Sequence, residues 1–252
     1  MGFELFRDAL SPHPVTPAVM PAMPRSARKA YHRRPLWSVP PMPTMSHSRR
    51  RLSRLPLPLE TPRLILRLPS ARDVPALKRS FRNPKTARAA GAPLHSTAEM
   101  SQPGRMVTRT LREYRNEEHL SLSVVLKAKG VCIGRVGLRG LDWKWRKVES
   151  LSYWIDPSYW NQGLATEASW ALCAAAFERL GMRRIASQAL DRNPSSQAVL
   201  RRLGFVQEGR ERQAVRLKGR SMDMLLFGLL RDEFRPMKAP VAHRPAAESG
   251  NR

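Results

Sequence analysis

The clearest pattern of apolar and polar positions in this chain lies between residues 153 and 168. It begins with the aromatic and β-branched run Tyr153-Trp154-Ile155, which predicts the end of a strand. Asp156-Pro157-Ser158 then interrupts the run, because proline removes a backbone donor and fixes φ. After Gly163 the chain becomes rich in alanine, which predicts a helix that ends near Leu180-Gly181. The stretch therefore predicts a strand, a turn and a helix.

The same patterns order the rest of the central chain. Alternating apolar positions predict strands over 59–68, 120–127, 131–141, 148–155, 184–190, from 204 onward and over 221–230. Helical spacing and caps predict helices from Ser70, over 97–115, 164–180 and 193–203, with a loop over 83–103. A break of the second helix at Pro103-Gly104 is the alternative interpretation. Gly134 within its strand indicates a bulge or a close approach of another backbone, as do Gly137 and Gly140. In the last strand, one face is predicted to carry Met224, Leu226, Gly228 and Leu230. This order predicts a single α/β domain around a mixed sheet.

The two ends of the chain lack such patterns. Nine of the 22 prolines fall between Pro12 and Pro43, and residues 1–54 carry ten Lys and Arg against Glu4 and Asp8. Such a segment buries too little apolar surface to offset its ordering entropy. We therefore expect a basic, disordered tail over 1–54, a folded domain over 55–235 and a disordered tail over 236–252. A transit peptide, or translation that starts at Met45, is a further interpretation of the first segment.

Composition and charge narrow the class of protein. The 252 residues carry a formal net charge of +25, of which +15 falls within 55–235, and this suits an acidic peptide or work close to ribosomal RNA. No apolar run reaches the about 18 residues of a membrane span, so we expect no membrane contact. Cys132 and Cys173 make no disulfide framework, which favours a reducing, cytoplasmic compartment. The six scattered histidines predict no metal site.

The strand, turn and helix around Gly163 favour an anion-binding site. The first turn of a helix leaves N–H groups without intrahelical partners, and the helix dipole adds partial positive charge at the same place. A glycine lets the backbone approach a ligand closely. A phosphorylated cofactor is therefore the predicted ligand.

Six short motifs follow one another in a specific order and spacing. They are Thr61-Pro62-Arg63-Leu64-Ile65-Leu66-Arg67, Tyr153-Trp154-Ile155-Asp156, Trp160-Asn161-Gln162-Gly163-Leu164-Ala165-Thr166-Glu167-Ala168, Asn193-Pro194-Ser195-Ser196, Leu203-Gly204-Phe205 and Asp223. With these motifs the chain resembles the GNAT superfamily of acetyl-CoA-dependent N-acetyltransferases. Within that superfamily it resembles the RimJ/RimL type, which acetylates the N-termini of ribosomal proteins. The resemblance spans about Leu59 to Phe234 and implies the GNAT fold, a mostly antiparallel mixed sheet flanked by helices.

The resemblance implies where acetyl-CoA binds. The pyrophosphate loop of the family corresponds to Trp160, Asn161, Gln162, Gly163, Leu164 and Ala165, with Thr166 next in the helix; Trp160 stands where the family has Gln or Arg. The pantetheine arm is expected to lie beside a splayed strand with backbone contacts at Trp154, Ile155 and Asp156. An N–H near Ile155 would polarise the thioester carbonyl. Asn193 and Ser196 are implied to contact the cofactor, whereas Glu167 is interpreted as structural.

The resemblance also suggests the catalytic groups. Transfer needs a neutral amine and an acid that protonates the departing thiolate. Many relatives use a tyrosine seven residues after the asparagine, but that position is Leu200 here. Ser196 matches the serine that RimJ/RimL members carry three residues after it, so it is the candidate acid. Its alternative interpretation is a structural serine in the first turn of the helix.

Glu149 is the candidate base. It lies one residue away from Ser150, where relatives often carry a glutamate, and strand alternation places it on the opposite face. A structural surface role is therefore its alternative interpretation. An α-amine with a pKa near 8 is ~10% neutral at pH 7, against ~0.04% for a lysine amine. Without a strong base, an α-amine is the easier acceptor.

Three functions stay open at this point. The leading hypothesis is acetylation of a protein N-terminus, and the second is acetylation of a small amine such as an aminoglycoside or an amino acid. The third is a GNAT fold that binds acyl-CoA or nucleic acid without turnover. Loops over 83–105 and 142–147 are expected to select the acceptor. For Trp143 and Trp145 in the second loop, three roles stay open: contact with the acceptor, stacking on RNA, or packing on the sheet. A monomer and a homodimer both agree with the sequence.

Overall fold

The computed structural model describes residues 51–89, 102–217 and 219–235. The two predicted tails lie outside these ranges, apart from a turn of 3₁₀ helix at Leu52–Arg54. Leu52 and Leu55 are buried in the main core. The domain therefore includes residues that the sequence assigned to the first tail.

Eight strands of the described part of the chain form one mixed sheet. They are β1 (Leu59–Glu60), β2 (Leu64–Arg67), β3 (Leu120–Leu126), β4 (Val131–Asp142), β5 (Lys147–Ile155), β6 (Arg184–Leu190), β7 (Val206–Leu217) and β8 (Arg220–Leu230). Their order across the sheet is β1-β2-β3-β4-β5-β6-β8-β7, and only the β5–β6 pair is parallel. The predicted mixed, mostly antiparallel sheet is confirmed. The predicted first strand is divided into β1 and β2 by a short turn.

Within the described residues, five helices flank the sheet. They are α1 (Val74–Arg82), α2 (Pro84–Ala89), α3 (Pro103–Arg115), α4 (Leu164–Glu178) and α5 (Pro194–Arg202). α2 occupies part of the region predicted as a loop, and residues 90–101 lie outside the described ranges. α3 starts at Pro103 rather than at 97, because proline at the first helical position needs no N–H partner and has a suitable φ.

The sheet separates two apolar clusters. The main core includes Leu172 and Phe177 of α4, whereas a second cluster lies under α1 and α3 and contains Leu77, Met106, Val107, Cys132 and Trp154. In β8 the side chains of the main core are Leu225, Phe227 and Leu229. The sequence grouped Met224, Leu226, Gly228 and Leu230 on one face of this strand. These residues alternate with the three core residues, so the predicted face of β8 is the one turned away from the main core.

β5 and β6 pair only where they begin. Their ladder consists of Lys147 with Arg184 and Val148 with Ile185. Beyond these pairs the strands diverge, although β5 stays paired with β4 as far as Ile155. The predicted splay is confirmed, and it leaves a gap on one side of the second half of β5.

Gly134 is the point where β4 comes closest to β5. The register of β3 and β4 shifts between Val124 and Val125, opposite Cys132 and Gly134. A Cβ atom built at Gly134 would overlap the carbonyl oxygen of Trp154 on β5. The bulge and close approach that the sequence predicted at this glycine are confirmed.

Gly134→Ala is expected to lower the free energy of unfolding by about 1–3 kcal/mol, because β4 and β5 must separate to admit the methyl group. Urea denaturation measures the change. Gly104→Ala is the matched control, since Gly104 lies in α3 with open space around it. That control should leave stability unchanged or raise it by up to about 1 kcal/mol. Equal effects of the two substitutions would contradict the close approach.

Candidate active site

The gap beside β5 exposes backbone groups to a ligand. The N–H of Asp156 donates to Ile133 of β4 at 2.7 Å. Because alternate residues of a strand point their N–H and C=O groups to opposite sides, Trp154 also faces β4, whereas Tyr153 and Ile155 face the gap. At the start of the gap Ser187 donates its hydroxyl to the Leu151 carbonyl at 2.8 Å. Of the three predicted backbone contacts, the peptide groups of Ile155 are the ones that face the gap.

Trp154 and Asp156 have structural contacts instead. The ring of Trp154 is buried in the second cluster, with the Phe81 ring centroid 5.2 Å away. The carboxylate of Asp156 accepts a hydrogen bond from the Ser158 N–H at 3.0 Å. This bond caps the short turn at Pro157–Tyr159. Both residues thus shape the end of β5 rather than face the gap.

The loop after β5 turns its backbone toward α4. Asn161 has φ of 59° and Gly163 has φ of 72°, both in the left-handed region. Asparagine and glycine are the residues that adopt this region most readily. Asn161, Gln162 and Gly163 are exposed, so the loop is accessible to a ligand.

The first turn of α4 supplies free donors. Its first intrahelical bond runs from the Glu167 N–H to the Gly163 carbonyl at 3.0 Å. The N–H groups of Leu164, Ala165 and Thr166 therefore have no intrahelical acceptor. Leu164 is buried and the Thr166 hydroxyl oxygen is enclosed by the protein, so these residues offer a ligand their N–H groups. Three such donors at a helix N-terminus suit a pyrophosphate.

A buried carboxylate holds this turn in place. Glu167 is 1% exposed and accepts hydrogen bonds from the Thr61 hydroxyl at 2.6 Å and the Arg63 N–H at 3.0 Å. Its other oxygen accepts from Arg63 Nε at 2.7 Å. Arg63 also donates from Nη1 to the Gln162 carbonyl at 2.8 Å. The turn between β1 and β2 is thus tied to the loop and to α4, which supports the structural interpretation of Glu167.

Trp160 closes the end of the gap. Its indole Nε1 donates to the Ile155 carbonyl at 2.7 Å, and the side chain is 38% exposed. This bond satisfies the carbonyl of Ile155 and leaves the N–H of the same residue facing the gap. In the family that the chain resembles, the position of Trp160 carries Gln or Arg. Here the Trp160 side chain instead bonds to β5 and links the loop to the end of that strand.

The N-terminus of α5 lies across from Tyr153. Asn193 caps the helix by accepting from the Ser196 N–H at 3.1 Å. The Ser196 hydroxyl and the Tyr153 hydroxyl are 3.0 Å apart, and the Tyr153 hydroxyl is also 3.0 Å from the Ser196 carbonyl. Burial raises the pKa of the Tyr153 phenol above its ordinary value, so it stays protonated. The structure thereby places a serine hydroxyl and a neutral phenol beside the gap.

A profile of the GNAT acetyltransferase domain matches residues 63–206, more than half of the chain. The chain belongs to this family. The resemblance to the GNAT superfamily is therefore confirmed, together with the expected fold. The protein is a GNAT N-acetyltransferase.

The chain is similar to curated N-acetyltransferases and to solved acetyltransferase structures. The uncharacterized N-acetyltransferase YoaA of Bacillus subtilis (strain 168) is 28% identical over 173 residues, which cover 69% of this chain and 96% of YoaA. YdaF of the same strain, whose name proposes a ribosomal N-acetyltransferase, is 35% identical over 105 residues, covering 42% of this chain and 57% of YdaF. The structure of RimL, a ribosomal L7/L12 α-N-protein acetyltransferase in complex with coenzyme A, matches with a TM-score of 0.59. RimL is 21% identical, with 69% of this chain and 96% of RimL covered, and it shows the shared fold.

Glu149 lies in β5 of this GNAT domain, away from the N-terminus of α5. It is exposed, and its side chain lies over Gly140 of β4, where a Cβ atom would overlap the carboxylate. Gly140 has φ of 61°, which favours glycine. The structure records no contact of Glu149 with Ser196 or with the loop after β5. These contacts agree with the surface role that the sequence left open, and the role of Glu149 as base stays a prediction.

Three residues of the site carry roles that the sequence did not assign. Tyr153 was recognised as the start of a motif but not as the partner of Ser196. Thr61 and Arg63 were recognised as a motif but not as the partners of Glu167. One signal was present for Tyr153, since strand alternation places it on the same side as Ile155. Nothing in the sequence links residues 61–63 with Glu167, because their contact spans about a hundred positions.

Within the described ranges, no helix has the length and apolar character needed to span a membrane. The same residues contain no group of three or more His, Cys, Asp or Glu placed to hold a metal ion. The reactive groups described above are hydroxyls and backbone N–H donors.

Glu167→Gln is expected to lower the free energy of unfolding by about 2 kcal/mol. Loss of a buried ion pair costs more than this, but the Arg63 side chain is 37% exposed and solvent screens part of the interaction. Urea denaturation measures the change. Glu178→Gln is the control in the same helix, because Glu178 is exposed, and it should change stability by less than about 0.5 kcal/mol. Equal losses would mean that the bonds of Glu167 do not stabilise the turn.

Proposed function

We propose that this GNAT enzyme transfers the acetyl group of acetyl-CoA to the α-amine of a protein N-terminus. The observation that carries the proposal is the Ser196 hydroxyl, which lies beside the gap of β5 and 3.0 Å from the Tyr153 hydroxyl. The gap provides for the pantetheine arm, which links the thioester at the Ile155 N–H with the pyrophosphate at the free donors of α4. Ser196 then has the position of an acid for the departing sulfur.

The Ile155 N–H supports the first step of the reaction. The neutral amine attacks the carbonyl carbon of the thioester, and negative charge develops on the carbonyl oxygen. A backbone N–H directed at this oxygen stabilises the charge, and one such donor contributes about 3 kcal/mol. The donor is fixed by the pairing of β5 with β4, so little reorganisation accompanies the step.

Ser196 supports the second step. The C–S bond breaks, its electron pair stays on sulfur, and the Ser196 hydroxyl gives its proton to the thiolate. The nitrogen of the product loses its extra proton to water, so the serine is reprotonated from solvent and atoms and charge balance. Tyr153 is a positioning residue, because its hydroxyl contacts Ser196 and holds the serine side chain at the gap.

An α-amine suits a site without a strong base. About a tenth of α-amines are neutral at pH 7, against ~0.04% of lysine amines. Glu149, the predicted base, is exposed and covers Gly140. An acceptor that is already partly neutral removes the need for a buried base, and the names of YdaF and RimL both refer to ribosomal N-acetyltransferases. The net charge of the domain also suits work close to the ribosome.

A direct test incubates the full chain with acetyl-CoA and a set of amines, and follows thiol release. Peptides with free N-termini should react, and mass spectrometry should place the acetyl group on the α-amine. The same peptides with blocked N-termini and an internal lysine are the control and should not react. Faster turnover of aminoglycosides or free amino acids would show that a small amine, and not a protein N-terminus, is the acceptor. The absence of thiol release with any amine would contradict the enzyme mechanism.

Ser196→Ala is expected to lower kcat by about 10²-fold, the usual contribution of a general acid, with KM for acetyl-CoA nearly unchanged. Steady-state kinetics on the reactive peptide measure both values. Ser195→Ala is the matched control, because Ser195 precedes it in α5 and is exposed. Similar kcat values for the two variants would exclude Ser196 as the acid.

Tyr153→Phe should lower kcat by about fivefold, which corresponds to one lost hydrogen bond of about 1 kcal/mol. The substitution keeps the ring in place, so KM for acetyl-CoA should stay close to that of the parent, whereas the free energy of unfolding should fall by about 1–2 kcal/mol because the Ser196 carbonyl loses its donor. In the Ser196→Ala background the same change should have little further effect on kcat. Additive losses in the double variant would show that Tyr153 acts independently of Ser196.

A further inference from the structure

The outer surface of α1, α2 and α3 is strongly basic. Apart from Arg115, which ends α3 just before the acidic Glu117 and Glu118, its exposed cations are Lys78, Arg79 and Arg82 on α1, Lys85 on α2, and Arg105, Arg109 and Arg112 on α3. We refer to these seven residues as the basic face. The acetyl-transfer mechanism uses none of them, so their concentration on one surface needs a separate explanation.

Little negative charge offsets the basic face. Glu113 is the one acidic residue within α1, α2 and α3, and it pairs with Arg109 at 2.6 Å. Asp73, just before α1, is buried and paired with Arg67 of β2. Glu117 and Glu118 follow α3 beyond its end. Seven cations against one carboxylate create a positive potential that attracts a polyanion.

The cations lie close together. Arg105, Arg109 and Arg112 have helical spacing of four and three residues, so they form one stripe about 10 Å long. α1 and α3 both bury side chains in the second cluster, including Leu77 and Met106, and their outer faces therefore point away from the sheet together. Packed helix axes are about 8–10 Å apart. The basic face thus covers an area roughly 10 Å on each side, before the reach of the side chains is added.

The chemistry of the face favours a phosphate backbone. The exposed large apolar residues of the described chain are Trp145, Trp160, Val206 and Leu230, and none belongs to α1, α2 or α3. The face therefore lacks aromatic rings for stacking on single-stranded bases and an apolar side for insertion into a membrane. Five of its seven cations are arginines, whose planar fork matches phosphate oxygens.

The shape of the face favours double-stranded RNA. α1 and α3 both pack their apolar sides against the sheet in the second cluster, so the basic face is a surface of two packed helices rather than one projecting helix of the kind that enters the major groove of B-form DNA. A-form RNA instead presents phosphates and 2′-hydroxyls along a wide and shallow minor groove, which a surface of two helices can contact. We propose that the basic face binds the phosphate backbone of double-stranded RNA.

The basic face lies next to the acetyl-transfer site. The inner side of α1 carries Phe81, which packs on Trp154 of β5, the residue before Ile155. One layer of helices, about 10 Å thick, separates bound RNA from the strand that faces the thioester. The face would therefore hold the enzyme beside acceptors that are part of an RNA–protein particle. The binding itself does not depend on acetyl transfer.

The test uses the full chain and a fluorescent RNA duplex of about 20 base pairs, with fluorescence anisotropy at several salt concentrations. The parent should bind with a micromolar Kd that weakens steeply between about 50 and 200 mM salt. Substitution of Arg79, Arg105 and Arg112 by Gln should raise Kd at least tenfold. The slope of log Kd against log salt should fall by about 0.9 for each lost phosphate contact.

The control variant replaces Arg212, Arg216 and Arg220 by Gln. These residues are exposed in the β7–β8 hairpin at the far edge of the sheet, and the change in net charge is the same. The Kd of this control should stay within about twofold of the parent, because its basic face is intact. The control and the basic-face variant have the same tails and the same net charge, so a difference between their Kd values reports the basic face alone. The variant with Lys78, Arg82 and Lys85 replaced by Gln should repeat the loss without any change in α3.

Three results would overturn the proposal. Equal losses in the face and hairpin variants would show that total charge alone attracts the RNA. Tighter binding of single-stranded poly(U), or of a B-form DNA duplex of the same length, would exclude recognition of A-form geometry. Absence of binding by the parent at about 100 µM in 50 mM salt would exclude the RNA site, whatever the outcome of the acetylation assays.

Discussion

The site depends on one constraint, the loss of pairing along the second half of β5. A strand buried between two neighbours must satisfy its N–H and C=O groups, and here β6 leaves after two residue pairs. Ser187 satisfies the Leu151 carbonyl and the Trp160 indole satisfies the Ile155 carbonyl. The groups between them face a gap that has the length and polarity for an extended amide chain. Backbone N–H and C=O groups that would pair with a neighbouring strand in a regular sheet are therefore free to bind a ligand in this part of β5.

The buried carboxylate of Glu167 explains why two distant motifs occur together. A carboxylate that is 1% exposed is stable only when its oxygens are hydrogen-bonded, and Thr61 and Arg63 supply those bonds. Arg63 also reaches the Gln162 carbonyl, so the same side chain positions the loop and the first turn of α4. The donors for the pyrophosphate are therefore held rigidly although the loop itself is exposed.

The two faces of the sheet have different tasks. α4 and α5 have their N-termini on one side, next to the gap of β5. α1 and α3 cover the other side with an apolar inner surface and a basic outer surface. Substitutions on that outer surface therefore leave the backbone donors beside the gap unchanged.

The sequence by itself determined the GNAT family and the order of most elements, and it predicted the region proposed to hold the cofactor. These follow from local patterns: proline and glycine mark the loop at 157–163, apolar alternation marks the strands, and the motifs recur at fixed spacing. The sequence left the start of α3 open between residue 97 and the break at Pro103, where the helix begins, and it did not anticipate α2, because both lie in a polar region without strong periodicity.

Only the tertiary structure decided which side chains meet. The bond between Tyr153 and Ser196, the bonds of Glu167 and the surface position of Glu149 each depend on how strands and helices far apart in the chain pack together. The sheet also decided that Ile155, and neither Trp154 nor Asp156, faces the gap, since that depends on which neighbour each residue pairs with. Local patterns carry no record of such partners, because a hydrogen bond depends on position in space rather than along the chain.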